Sequence, residues 1–180
     1  MGDWYRWVYK RASGTFTKQY YSISERFIKG RKARILRSMS DSLTVLEIGP
    51  KDRHVLEDFV QVPHTIYRES PYWVPRLRRD VREIVEKRHP FFEHSDGAFF
   101  VAYRDGRPVG RVAVFDNRAS NTQNSRSRAH FYFLDMEDDL EISRVLLSRA
   151  AEWGKGRGLD ELEGPMLFGG PSGSGILIEG

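Results

Sequence analysis

The clearest periodicity in the chain lies between Ala98 and Leu162. Two apolar, β-prone runs, Ala98–Tyr103 and Pro108–Phe115, flank Arg104-Asp105-Gly106-Arg107. An Asp-Gly pair between such runs predicts a hairpin, because glycine accepts positive φ without steric cost. A third apolar run, His130–Leu134, follows a polar stretch and predicts a strand. A helical pattern then runs from Leu140 to Trp153, with Ile142, Val145, Leu146, Arg149 and Trp153 on one side. The short run Leu159–Met166 closes the series as another strand. Upstream, Ser42–Ile48 reads as a strand stopped by Gly49-Pro50. A helix is expected to start near Asp52, with Val55, Phe59, Val62 and Ile66 on its apolar face. Pro63 sits inside that pattern and predicts a kink or restart there, since proline lacks a donor and clashes with the preceding turn. Ser70-Pro71 and Val74-Pro75 force an extended connection to a second helix at about Arg79–Lys87. That helix is expected to turn Leu77, Val81, Ile84 and Val85 inward and to leave Arg76, Arg78, Arg79 and Arg82 to solvent.

Hairpin, strand, helix, strand predicts an α/β (α+β) fold: a mixed, mostly antiparallel sheet flanked by helices, with one crossover helix. The loop 117–128, rich in Asn, Ser and Arg, has no apolar anchor and is expected to be the mobile piece able to move over a ligand. Residues 1–40 read as a separate arm ahead of a domain at 41–180. Trp4, Trp7 and Val8, and then Phe16, Tyr20, Ile23 and Phe27, repeat at helical spacing on either side of Ser13-Gly14.

Charge sharpens this division. The net charge is +4, but residues 1–40 carry ten Lys/Arg against Asp3 and Glu25, so the remainder is net acidic. A basic amphipathic arm of this kind docks on its own domain, on an anionic membrane or on nucleic acid. Hydrophobic content of 39% supports a real core, and no window holds the ~20 apolar residues a membrane span needs. The absence of cysteine removes disulfides and thiolate chemistry. With no apolar leader, a cytoplasmic location is expected.

Several short phrases point further: Phe59-Val-Gln-Val-Pro63 with Ile66-Tyr67, Pro71-Tyr-Trp-Val-Pro75, Asn117-Arg118, Phe131-Tyr-Phe133 and Gly164-Pro-Met166. Together with the element order they make residues 45–180 resemble a bacterial GNAT-like (N-acetyltransferase-like) family. That resemblance implies transfer of an acyl group from acetyl-CoA or another acyl-CoA to an amine acceptor. It implies that the main chain of Phe133, Leu134, Asp135 and Met136 lines the pantetheine, and that Glu137 or Asp135 acts as base through water. The family pattern places a glycine-rich turn after the third strand to hold the CoA diphosphate. Here that stretch is Asp135-Met-Glu-Asp-Asp-Leu-Glu-Ile142, with no glycine and five carboxylates, which repel a diphosphate. The acids equally suit a helix N-terminus, with Asp138 or Asp139 as cap. The second reading is therefore a non-catalytic GNAT-like binding module that uses its arm to dock.

Other candidates are weaker in pattern. Gly169–Gly175 lacks the Lys-Ser/Thr of a phosphate loop, and His89 and His94 alone make a poor metal pair. His130 on a core strand reads as a packed histidine. Ile176–Ile178 reads as a buried strand close to the end, which suggests a shortened chain.

Overall fold

The computed structural model describes residues 43–166, together with the backbone of residues 4–12 and 15–23. Gly169–Gly175 and Ile176–Ile178 lie outside the described residues.

The arm departs from the helical expectation. Trp4–Ala12 (β1) and Thr15–Ile23 (β2) are strands paired antiparallel, in a register that sets Trp4 against Ile23 and Ala12 against Thr15. The stretch is dense in Trp, Tyr, Val and Thr, residues that favour extended backbone. Ser13-Gly14 separates the runs by two residues, the length of a tight hairpin loop. Helical spacing of the six apolar residues from Trp4 to Ile23 was outweighed by that composition; Phe27 and the rest of residues 24–40 lie outside the described residues.

The main sheet has five strands in sequential order: Leu43–Glu47 (β3), Asp96–Arg104 (β4), Arg107–Asp116 (β5), Arg128–Met136 (β6) and Glu161–Glu163 (β7). All neighbours are antiparallel except β6 and β7, which run parallel. A parallel pair requires a crossover, and the helix Leu140–Lys155, α4, supplies it.

Alternation along β4 and β5 divides the core in two. Phe99, Val101, Tyr103, Ala113 and Phe115 face Arg53–Ile66 (α1) and Arg78–Val85 (α2). Ala98, Phe100, Ala102, Val112 and Val114 face α4 through Ile142, Leu146, Ala150 and Trp153. Both central strands are buried on both faces, so they read as continuous apolar runs.

Two expectations are corrected here. α1 runs unbroken through Pro63 to Ile66. Proline at 63 leaves the Phe59 carbonyl without its helical donor, and the Arg111 Nη1 of β5 donates to that oxygen at 2.7 Å. A long-range partner thus does what the missing N–H would have done. The loop expected to be mobile is instead built around Arg118–Asn124 (α3). Asn117 caps it by accepting from Ser120 N, and Asn121 Nδ2 donates to Asp116 Oδ1 and to the Arg128 carbonyl, both at 2.8 Å. Arg128 N donates back to Asn121 Oδ1 at 3.1 Å. One amide side chain staples the end of β5 to the start of β6.

Candidate active site

β6 and β7 stay together only briefly. Arg128, Ala129 and His130 pair with Glu161, Leu162 and Glu163. The last bond between these segments among the described residues runs from Met166 N to the Phe131 carbonyl, at 2.9 Å. Gly164 permits that approach: a Cβ there would lie 2.5 Å from the Phe131 oxygen. Beyond it, among the described residues, the second half of β6 has a paired strand on its β5 side alone.

That half is irregular in a specific way. Between the pairs Ala113–Tyr132 and Arg111–Asp135, β5 advances two residues while β6 advances three. The extra residue is a β-bulge, and Phe133 takes a left-handed φ of 50° within it. Buried Phe133 packs edge-on against Phe59, with ring centroids 5.8 Å apart. Leu134, Asp135, Met136 and Glu137 are half-buried.

Arg111 holds the bulge. Its guanidinium lies between the Phe59 and Phe133 rings, 4.8 Å from each centroid. Its Nε donates to Asp135 Oδ2 at 2.7 Å while Nη1 serves the Phe59 carbonyl. Burial pulls the guanidinium below its ordinary value, and Asp135 opposes that pull. The Tyr67 hydroxyl, at the end of α1, also bonds to Asp135; burial and that carboxylate push its ionisation well above the ordinary phenol value. The phenol therefore stays protonated and acts as a donor.

Four of the five acids at the end of β6 and beyond it are paired with the β4–β5 hairpin. Asp135 meets Arg111, Glu137 meets Arg107, and Asp139 and Glu141 meet Arg104, at 2.8 and 3.3 Å for the last two. Asp139 also caps α4, accepting from Glu141 N at 2.7 Å. The helix end that a diphosphate would approach already carries a carboxylate cap, and Glu141 stands in its first turn. These residues do not fit a diphosphate at that position.

The predicted residues are thus brought together at the end of β6, but as an ion-paired cluster. Asp135 is a member of a buried network, and the Glu137 carboxylate is engaged by Arg107. A different group faces open space. On the α1/α2 side of the sheet, a cavity of about 260 Å3 is lined by Asn121, Asn124, Arg128, His130, Glu163 and Met166, among others. His130 is buried there, lies beside Phe115, and has no hydrogen-bond partner on Nδ1 among the described residues. Burial lowers its pKa, so the imidazole is neutral at pH 7. His89, by contrast, caps the turn Pro90–Glu93 through Nδ1. The reading of His130 as a packed histidine agrees with its burial beside Phe115; the structure adds its place on the cavity wall, across from Glu163 near the point where β6 and β7 part.

A mixed sheet opened between two parallel strands, a bulge on the strand before the crossover helix, and helices on both faces define the GNAT acyltransferase fold, and the chain has that fold. It aligns with a tandem GNAT protein from the clavulanic acid biosynthesis pathway at a TM-score of 0.53 and 16% identity, covering 73% of this chain and 41% of that one. Among curated sequences it is 30% identical over 127 residues to the bacterial ceramide synthase of Caulobacter vibrioides, spanning 69% of this chain and 33% of that protein. It is 27% identical over 129 residues to protein YghO of Escherichia coli K12, again 33% of that protein's length. The chain therefore spans about a third of the curated relatives it matches. No family model matches it. No helix among the described residues is long and apolar enough to cross a membrane.

Proposed function

We propose that this protein is an N-acyltransferase that moves the acyl group of a thioester to a primary amine carried by a long-chain lipid, forming the amide C–N bond as the C–S bond breaks and releasing the thiol. The observation that carries the reading is the opening of the sheet, among the described residues, beyond Phe131 and beside a bulged strand, in a GNAT fold. One relative's name, ceramide synthase, supports the acceptor class, because a ceramide is by definition the N-acyl amide of a long-chain amine. In this reading His130 takes the amine proton. It is neutral at pH 7 and lines the cavity next to the opening, whereas Asp135 and Glu137 are held by arginines. Asp135 then acts as a positioning residue that keeps the bulge in shape through Arg111. The acyl donor is coenzyme A-bound or otherwise carried on a thiol. Because the acidic turn does not suit a diphosphate, a coenzyme A donor would have to be held by residues other than those at the α4 N-terminus.

Two experiments test this together. Calorimetric titration with acetyl-, octanoyl- and palmitoyl-CoA should give binding, and at ~10 Kd a thermal stabilisation of about 1.4 kcal/mol. Mass spectrometry of the reaction with a long-chain amine should show the amide, and His130→Gln should lose more rate than Glu137→Gln or Asp135→Asn. Absence of binding at millimolar donor, with no amide formed, removes the reading. It would leave the second one, a GNAT-fold module that binds without transferring, which the ion pairing of four of the five acids in the turn favours.

A further inference from the structure

The segment between α1 and α2 exposes apolar surface that the fold does not use. Tyr72, Val74 and Leu77 are 92%, 85% and 67% exposed. They are not on a loose tether. Trp73, between Tyr72 and Val74, packs against His64 and Tyr67 with ring centroids 5.1 and 5.5 Å away. Extended backbone alternates its side chains, so anchoring Trp73 on α1 turns both of its neighbours outward. Pro71 and Pro75 restrict the backbone on either side.

The same stretch is basic: positions 68 to 79 carry four arginines and one carboxylate. Arg76 is committed to the fold, donating to the Tyr132 hydroxyl at 2.9 Å, and Arg78 donates to Gln61 Oε1 at 2.7 Å. Arg68 and Arg79 are exposed, and their contacts with Glu69, Asp80 and Glu83 are 3.3 Å or longer. Such solvated pairs are weak and exchange readily for phosphate.

We propose that this segment docks on the anionic surface of a lipid bilayer, with Tyr72, Val74 and Leu77 entering the headgroup boundary and Arg68 and Arg79 meeting lipid phosphates. Charge and apolarity argue together here. Basic residues suffice to hold a nucleic acid backbone, but three outward apolar side chains on a rigid loop add nothing there; at a bilayer each loses contact with water. The inference is independent of the acyl-transfer reading, since vesicle binding needs no donor or amine.

The test is co-sedimentation of the full chain with phosphatidylcholine vesicles, with and without phosphatidylglycerol, at low and high salt. The expected result is retention on the anionic vesicles that weakens with salt. Tyr72→Ser/Val74→Ser/Leu77→Ser should weaken it roughly tenfold or more with an unchanged melting temperature. Arg68→Gln/Arg79→Gln should cost about fivefold per charge. Residues 1–40 are the same in every variant, so any contribution from the arm cancels. Retention untouched by the triple substitution overturns the proposal, as does equal retention on neutral vesicles. Capture on duplex DNA that falls with the arginine pair but not with the apolar triple also overturns it, in favour of nucleic acid.

Discussion

Replacing Arg111 with methionine probes the centre of the site. Arg111 is 5% exposed, and its guanidinium has three sets of partners: Asp135, the Phe59 carbonyl and the two flanking rings. Methionine fills much of the volume and keeps contact with the rings. It leaves a largely buried carboxylate with only Tyr67, and a helix carbonyl that Pro63 cannot serve. Removing one member of a buried pair costs about 3–5 kcal/mol, and stranding a buried carbonyl adds about 1–3 kcal/mol. Tyr67 and partial water access to Asp135 return some of this, so the expected loss is about 3–4 kcal/mol, or roughly 10 °C in melting temperature for a domain of this size. Equilibrium urea unfolding measures it. Adding Asp135→Asn to Arg111→Met removes the stranded charge, so the double variant should recover about 1–2 kcal/mol relative to the single one. If the single substitution costs under about 1 kcal/mol, or the two losses simply add, the network is not what fixes the bulge.

Further outcomes are expected elsewhere. Gly110→Ala drives a methyl to 2.8 Å from Met136 Cβ and 2.9 Å from Ile142 Cγ2, so it should cost about 1–3 kcal/mol in chemical unfolding; a neutral result would mean that β6 and α4 yield easily. Asn121→Ala removes three bonds between the ends of β5 and β6 and should lower stability by about 1–3 kcal/mol, with faster amide exchange across α3. His130 has a folded pKa below the ordinary imidazole value, so the unfolded chain binds more protons in the interval between the two. Stability should therefore be at its full level above about 6.5 and fall as pH drops from there toward the lower folded value; His130→Gln should flatten that slope, and an unchanged slope would assign it to His64, whose pKa burial also lowers.

Much of the fold was legible because local signals agreed with tertiary packing. Asp105-Gly106 marked the hairpin, and Asp105 and Gly106 both take positive φ. Asp139 was named among the possible caps of α4, and it is the cap. α3 was missed because a seven-residue helix of Asn, Ser, Thr and Gln has no apolar face to read; it exists through its Asn117 cap and the Asn121 staple. Pro63 was read as a break because its compensating donor lies 48 positions away. Yet the signal was present: an arginine in the middle of Val109–Phe115, a run otherwise fit for burial on both faces, demands a partner inside. Asking which carbonyl and which carboxylate it served would have linked Phe59, Pro63 and Asp135 before any coordinates. The opening of β7 from β6 could be expected only from the family resemblance, since no local pattern marks where two strands part.

The interlocking of Arg104, Arg107 and Arg111 with the acids from Asp135 to Glu141 has a consequence for engineering. A glycine-rich turn transplanted into positions 136 to 139 would not restore a phosphate cradle by itself, because it would take Glu137 from Arg107, leave Arg104 to Glu141 without Asp139, and uncap a helix. The hairpin tip and the turn behave as a single cassette, exchangeable with a diphosphate-binding version only when both halves are swapped at once.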